Sequence, residues 1–597
     1  MLKNSEAAGL ADFRADGRLL VLAGLALPIG AIGACVAKVL LWLIAWITNL
    51  SYFHRASLQP VTPQQAHGGW AMIFIPVAGA LLIGLMARYG SEKIRGHGIP
   101  EALEAILLGK SLINPRVAIL KPLSSAISIG TGGPFGAEGP IIMTGGAFGS
   151  LFAQMFHLTA AERKILLVAG AAAGMSAIFA TPVAAVLLAV ELLLFEWRPR
   201  SFIPVGVAAM AAAAVRVHLL GNGPIFPVPL HGELGLGAVM GGLAVGLAAG
   251  FGSWALTSLI YAVEDGFARL PIHWMWWPAL GSLVVGVGGW LDPRVLGVGY
   301  GSIHSLMLGQ CLGAALVSLL VIKAIVWVVA LGSGTSGGVL APLLILGGAL
   351  GVCVGHWLPG GDPGLWALAG MAAMMGGTMR SPLTGLFFAL ELTRDFNAAP
   401  VLFAGCLGAL AVTVLALPRS ILTEKLARRG QHISRDYTVD PFDQIRVGEV
   451  MDSKVPCVSG QMSVMELSEQ ISARELPLGR RHAAFIVDTE GRLEGLVTRG
   501  DLLQALRQDP TGQSAVAAVG RKRVVTVFPD ERVADAIGRM LRHDIGRMPV
   551  VSREDPGRVV GYLGRADILS ARERTHEEEE ERSCGPWMRQ VPIKHAA

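Results

Sequence analysis

Two glycine-rich stretches about 200 residues apart constrain this chain more than any other feature. GTGGPFGAEGPIIMTGGAFG (130–149) lines up with GSGTSGGVLAPLLILGGALG (332–351) at an offset of 202, and Gly130, Gly132, Pro140, Gly145, Gly146, Ala147 and Gly149 recur unchanged. A second block, VAGAAAGMSAIFATPVAAVLLAVEL (168–192), matches AGMAAMMGGTMRSPLTGLFFALEL (369–392) at an offset of 200. It carries Gly170, Ala172, Ala173, Pro182, Ala189, Glu191 and Leu192 onto Gly370, Ala372, Ala373, Pro382, Ala389, Glu391 and Leu392. Two blocks sharing nearly one offset are an internal duplication. The broken segments prevent a safe count of crossings, so the halves read as either parallel or inverted.

The solvent around the two halves follows from composition. Only 16% of the 597 residues are charged and 52% are hydrophobic, against roughly 25% charged in ordinary soluble domains. Leu19–Leu50 holds one charge, Lys38, and Leu234–Val263 holds none; both exceed the roughly 20 apolar residues of a spanning helix. The first is too long for a signal peptide's apolar region alone, which makes it a retained helix. Basic residues near both ends of this region (Arg14, Arg18; Lys425, Arg428, Arg429) favour cytoplasmic termini. The six scattered cysteines give neither a disulfide framework nor a zinc site, and a net charge of +5 leaves no nucleic-acid footprint.

Duplicated membrane proteins commonly place their substrate site where broken helices of the two halves meet at mid-membrane. Proline at a helix start gives up a donor that is unsatisfied anyway, and glycine lets the preceding backbone bend. Such irregular backbone is tolerated at membrane depth only when buried or lining a watery cavity. A helix N-terminus binds anions through free N–H groups and its positive dipole end. Four starts qualify: GHGIPEA (96–102), GAEGP (136–140), GGVLAP (337–342) and the segment near LPRS (417–420). Partial charges hold an ion loosely enough to release it, as conduction requires. Lys121 is expected as a buried charge behind them, raising the local potential. The Gly145/Gly149 and Gly347/Gly351 pairs have the spacing that lets helices pack closely.

Glu138 is the exception in this apolar setting. A carboxylate at bilayer depth costs about 3 kcal/mol on insertion scales. Set among anion-binding N–H groups, it recovers part of that by occupying the anion's own site, competes with the permeant ion and leaves when protonated. That makes it a gate; the alternative is a carboxylate that caps a helix for stability alone.

GHGIP, GAEGP and GVLAP, in this order, resemble the signatures of the CLC family of chloride channels and proton-coupled chloride antiporters. The resemblance covers roughly Leu19–Gly430. It implies an all-α polytopic membrane fold with an inverted repeat, a homodimer with one pore per subunit, and Glu138 as the external gating glutamate. By the same resemblance His97, Gly98 and Ile99, Glu138 and Gly139, and Val339 and Leu340 line the anion site. The departures are informative. His97 replaces the pore serine, so an imidazole stands where a hydroxyl is usual; it either donates to the ion or turns away. Leu340 replaces the usual phenylalanine, and Ala137 the basic residue before the gate. No tyrosine lies in 411–430, where the pore tyrosine is expected. Leu192 stands where many antiporters carry an internal proton-transfer glutamate, and Glu191 beside it points about 100° away on a helix, which marks it as structural.

Composition changes near residue 420, and a soluble region of about 150 residues follows. Residues 446–507 and 518–572 each read as strand–helix–strand–strand–helix, resembling a soluble α/β CBS-domain pair. Such pairs often bind adenine nucleotides (ATP, ADP or AMP), with Thr498 and Asp501 expected at the phosphate and ribose in the first module; Asp567 remains in the second, where Gly564 replaces the threonine. A purely structural pair is the other reading. The expected organisation is a cytoplasmic segment 1–18, a transmembrane domain 19–430, a linker 431–445, the two modules and an acidic tail 573–597.

Together these features favour a multi-pass protein of a bacterial inner membrane that passes chloride and other small anions through a gated, passive pore. No cofactor is required and no metal site is expected. Antiport along another proton route and fluoride-selective exchange stay open. A CBS-regulated cation transporter would need several convergent carboxylates in its spans, and a membrane enzyme a catalytic constellation; neither pattern is present in the sequence.

Overall fold

A computed structural model describes residues 17–66, 69–107, 109, 111–359, 361–429, 445–472, 483–522 and 524–571. Of the expected segments, all but the last two residues of 1–18, all but Ile445 of the linker, and the acidic tail lie outside them. The chain divides into two compact units, Met1–Tyr437 and Thr438–Ala597.

The first unit is helical and built for lipid. Among the described residues, six helices are long and apolar enough to cross a membrane: Gly17–Phe53, Gly69–Tyr89, Pro199–Leu220, Leu236–Ala268, Ala314–Gly332 and Phe396–Arg428. Gly17–Phe53 takes up the singly charged run of the sequence, and Leu236–Ala268 nearly all of the uncharged one. Between them lie helices too short to span, among them Glu138–Gln154 and Leu340–Gly355; at 1.5 Å per residue each covers about 25 Å of a hydrocarbon layer about 30 Å thick. Each packs on the helix that follows it. A Cβ at Gly145 would strike the Gly170 carbonyl, and one at Gly347 the Gly370 carbonyl, so the small-residue pairs serve close packing.

The two copies run in opposite senses. Arg428 pairs with Asp265, which puts the end of Leu236–Ala268 on the face of the Ile421–Arg428 helix. Thirty-three residues at 1.5 Å each carry Leu236 to the opposite face, about 50 Å away. Pro115–Gly130 ends on that opposite face: Gly297 N–H donates to Gly132 O (3.1 Å), and Tyr300 meets Phe226 of the 221–235 loop (ring centroids 5.8 Å apart). Its repeat partner Ala314–Gly332 ends beside Glu264, whose N lies 3.2 Å from a Cβ built on Gly332, on the first face. The repeat is inverted, and the two short helices therefore approach each other N-terminus to N-terminus.

Crossed caps join the halves a second time. Glu191 accepts from Leu383 N (3.2 Å), Thr384 N (2.8 Å) and Thr384 Oγ1 (2.5 Å). Glu391 accepts from Val183 N (3.0 Å) and Ala184 N (2.8 Å). Each glutamate thus caps the proline-led helix start of the other half, satisfying donors the helix itself cannot reach. Around Glu191 the helix widens into a π-helical stretch, Ala189–Leu194.

Among its described residues, the second unit holds two small sheets. β1 (Cys457–Ser459) pairs parallel with β2 (Ala483–Val487), which pairs antiparallel with β3 (Leu493–Thr498); β4 (Arg547–Val551) and β5 (Val559–Gly564) form an antiparallel pair. The second module departs from the expected pattern: its first strand is reduced to a single bridge, Val527 to Val550. The helix Val447–Val450, which opens the first module in sequence, packs outside that module's own core. Val447 and Val450 pack into the second module's core with Val527, Val533 and Met548, while Val516 of the Val516–Val519 helix packs with Val458, Val464 and Ile486 of the first. Each module lends its leading helix to the other, because two apolar residues on one turn need a full core to cover them. Phe485 and Tyr562 close the space between the sheets, their rings 5.6 Å apart.

Candidate functional site

Three backbone segments converge where the inverted helices meet. Gly136 and Gly338 exchange N–H···O bonds of 3.2 and 2.9 Å, and Gly337 N–H donates to Gly96 O (3.4 Å). Glycine is required here. A Cβ at Gly139 would strike the His97 carbonyl, and one at Gly338 would sit 2.5 Å from the Glu138 carboxylate and 2.6 Å from Gly136 O. Gly96 and Gly98 hold φ of +76° and +88°, the left-handed region open to glycine at little cost.

Glu138 is fully buried at this junction. Its Oε1 accepts from Ala341 N (2.7 Å), the helix start of the other half. The carboxylate therefore lies between the N-termini of the two inverted helices. Its Oε2 is buried with no hydrogen-bond partner among the described residues. His97, 3% exposed, also has a buried, unpartnered Nδ1. Two buried polar atoms at the junction thus lack a partner among the described residues.

Two lysines shape the backbone around the junction. Lys121, fully buried, donates to Ile94 O (2.8 Å), Gly96 O (2.7 Å) and Ser336 Oγ (3.1 Å). An ammonium has three N–H groups, so Lys121 offers its charge, and no free donor, to whatever sits at the junction. Lys323, equally buried, donates to Val295 O (2.8 Å) and Gly297 O (3.4 Å). It is the repeat partner of Lys121 at the offset of 202, and its clasp mirrors the first.

The fourth candidate helix start is occupied internally. Ser420 Oγ accepts from Thr423 N, and Ser420 N–H donates in turn to the Thr423 hydroxyl oxygen. The Ile421–Arg428 helix is tied to the GHGIP helix by Lys425–Glu101 (2.9 Å). Where the sequence lacks a tyrosine, Ile421, Leu422 and Leu426 are buried.

The family model described as Voltage gated chloride channel matches residues 78–414. The chain belongs to the CLC family. CBS domains match at 447–508 and 516–574. A voltage-gated ClC-type chloride channel ClcB of Salmonella typhimurium is 29% identical over 426 residues, covering 69% of this chain and 98% of its own. An H(+)/Cl(-) exchange transporter ClcA of Yersinia pestis bv. Antiqua is 30% identical over 383 residues, covering 61% and 80%. A crystal structure of a eukaryotic CLC transporter superposes with a TM-score of 0.60 at 18% identity, covering 92% of this chain and 98% of that one. The protein is an integral, multi-pass membrane protein of CLC fold carrying a CBS pair.

Against this CLC frame, the structure gathers His97, Gly98, Glu138, Gly139, Val339 and Leu340 at one junction, with Ile99 opening its helix. The donor to the Glu138 carboxylate is the N–H of Ala341, next to Leu340. The sequence reading missed Ala341, Lys323 and Tyr300. Lys323 was legible from the repeat offset; Ala341 was not, because which N–H meets the carboxylate depends on the angle between two helices. Leu192 is buried next to the cap made by Glu191. In the CBS pair, Thr498 and Asp501 bond each other in a capping box, with Thr498 Oγ1 to Asp501 Oδ2 at 2.6 Å. Asp567 accepts from Gly564 N (2.8 Å).

Proposed function

We propose that this CLC protein passes chloride and other small anions across a membrane, with the Glu138 carboxylate as its gate. One observation carries the reading: a single buried carboxylate takes an N–H from the opposing helix start, where a chloride bound by two dipole ends would sit. An ion entering must displace it, and protonation removes the charge that holds it there. Val339, Leu340, Glu138 and Gly139 supply backbone N–H groups to the ion, His97 one ring nitrogen, and Lys121 a buried positive potential.

The transport mode favoured is gated and passive. Leu192 carries no proton, and Glu191 is engaged by three donors of the other half. Coupled exchange is the second reading, motivated by the similarity to a relative named as an H(+)/Cl(-) exchanger; fluoride selectivity is a third, motivated by the altered serine position. The protein acts as a homodimer in a bacterial inner membrane with cytoplasmic termini, and its CBS pair binds an adenine nucleotide at Thr498, Asp501 and Asp567.

Reversal potentials under crossed chloride and pH gradients test the mode. Values that track the chloride gradient at every pH indicate a channel, and a shift with the proton gradient indicates exchange. Glu138→Gln is expected to abolish the pH dependence of chloride flux in proteoliposomes; a pH dependence that survives it refutes the gate.

A further inference from the structure

The repeat that aligns Lys121 with Lys323 also aligns the loops they clasp. GHGIP (96–100) falls on GVGYG (297–301) at an offset of 201. The correspondence is physical: Gly297 and Gly299 hold φ of +64° and +79°, as Gly96 and Gly98 hold +76° and +88°. Each lysine grips the carbonyls of the first glycine and of the residue two before it. At the place of Ile99 in this second copy stands Tyr300, on the face opposite Ile421–Arg428.

Tyr300 is built to present a hydroxyl. Its ring packs edge-on against Phe226, at 74° between planes, yet its buried hydroxyl has no partner among the described residues. Glu138 lies within electrostatic reach of that hydroxyl, and its own Oε2 is also buried and unpartnered. Leaving two such groups unsatisfied is costly. One movement satisfies both. Gly136 and Gly338 crowd the carboxylate where it now sits, since a Cβ on either would collide with Oε2. Tyr300, within electrostatic reach and with a hydroxyl that also lacks a bond among the described residues, offers the carboxyl a place to go. A protonated carboxyl there donates its O–H to the phenol oxygen or accepts a hydrogen bond from the phenol O–H, so no charge needs an apolar home.

We propose that the Tyr300 hydroxyl is the hydrogen-bonding partner that holds the Glu138 carboxyl once it has left the anion site. Tyr300 thereby sets the open population of the gate as a positioning residue. This rests on the reading of Glu138 as gate. The other ionisable groups around the junction are Lys323 on the outer side and His97, Glu101, Lys121 and Lys425 on the inner; both buried lysines are bound to backbone carbonyls, and Lys425 to Glu101.

Tyr300→Phe removes the hydroxyl and keeps the ring on Phe226. Chloride efflux from proteoliposomes is expected to fall about five-fold at acidic pH, the usual net worth of one hydrogen bond expressed as a ratio. In a Glu138→Ala background the same substitution is expected to change nothing, and flux through that double variant also shows an intact fold. Unaltered flux in Tyr300→Phe alone overturns the proposal, as does an equal fall in both backgrounds, which would make Tyr300 an ion ligand or a packing residue. If Glu138→Ala by itself leaves flux and its pH profile untouched, the gate reading falls, and this proposal with it.

Discussion

Replacing Glu191 by glutamine separates a structural carboxylate from a proton carrier. The change keeps shape and size but leaves one acceptor oxygen where there were two. The carboxylate serves three donors: Leu383 N, Thr384 N and Thr384 Oγ1. In the glutamine, the oxygen is best kept toward the two Thr384 groups, and the amide NH2 then faces the Leu383 N–H. One buried donor loses its partner, at about 1–3 kcal/mol, and the two remaining bonds fall from charged to neutral strength. The sum is about 2–4 kcal/mol. Unfolding in mixed detergent micelles, titrated with a denaturing detergent, is the measurement, with chloride efflux and proton coupling recorded on the same preparations. The expected result is lowered stability with unchanged reversal potentials in the surviving protein. Glu391→Gln should act in the same sense and more weakly, since Glu391 serves two donors in a more open setting. Unaltered stability with an altered proton dependence would refute the capping role and put Glu191 on a proton route.

His231, in the 221–235 loop, pairs with Asp395 and lies 3.4 Å from Asp362. Burial disfavours its charged ring, but the Asp395 bond and the Asp362 charge outweigh that and raise its pKa. A folded pKa above the unfolded value gives stability fully present below the unfolded pKa, near 6.5, and lost as pH rises through the folded one. Hydrogen exchange in 222–235, corrected for its intrinsic pH dependence, should therefore accelerate from acid to alkaline pH; a constant or falling rate contradicts the pairing. In the CBS pair, Thr498→Ala removes a helix cap worth about 1 kcal/mol and is expected to weaken ATP or AMP binding by calorimetry. Unchanged affinity would leave Thr498 with the cap alone, and chloride flux unmoved across a saturating nucleotide titration would sever the pair from gating.

Much of the site was legible in the primary structure because glycine, proline and one misplaced charge mark broken helices at any depth. The repeat offset also carries Lys121 onto Lys323 and, loop laid over loop, Ile99 onto Tyr300, though neither counterpart was named from the sequence. What stayed hidden depends on which surface of one half meets the other. Glu191 and Glu391 read as identical helix residues; nothing in either segment says that each caps its copy. Ala341 supplies the carboxylate's N–H by virtue of a crossing angle. The exchanged helices at Val447–Val450 and Val516–Val519 escaped for a related reason: a single turn with two valines fits either core equally well by pattern.

The crossed caps also bear on how the chain comes to exist. The donors at Val183 and Ala184 wait for a glutamate 208 and 207 residues further along. At roughly 5–20 residues per second of synthesis, that is about 10–40 s in which the first half sits in the bilayer with an open helix end. During that interval it is a vulnerable intermediate, exposed to membrane proteases and to any other carboxylate within reach. Insertion factors that shelter half-made transporters should bind this chain most strongly before residue 391 emerges.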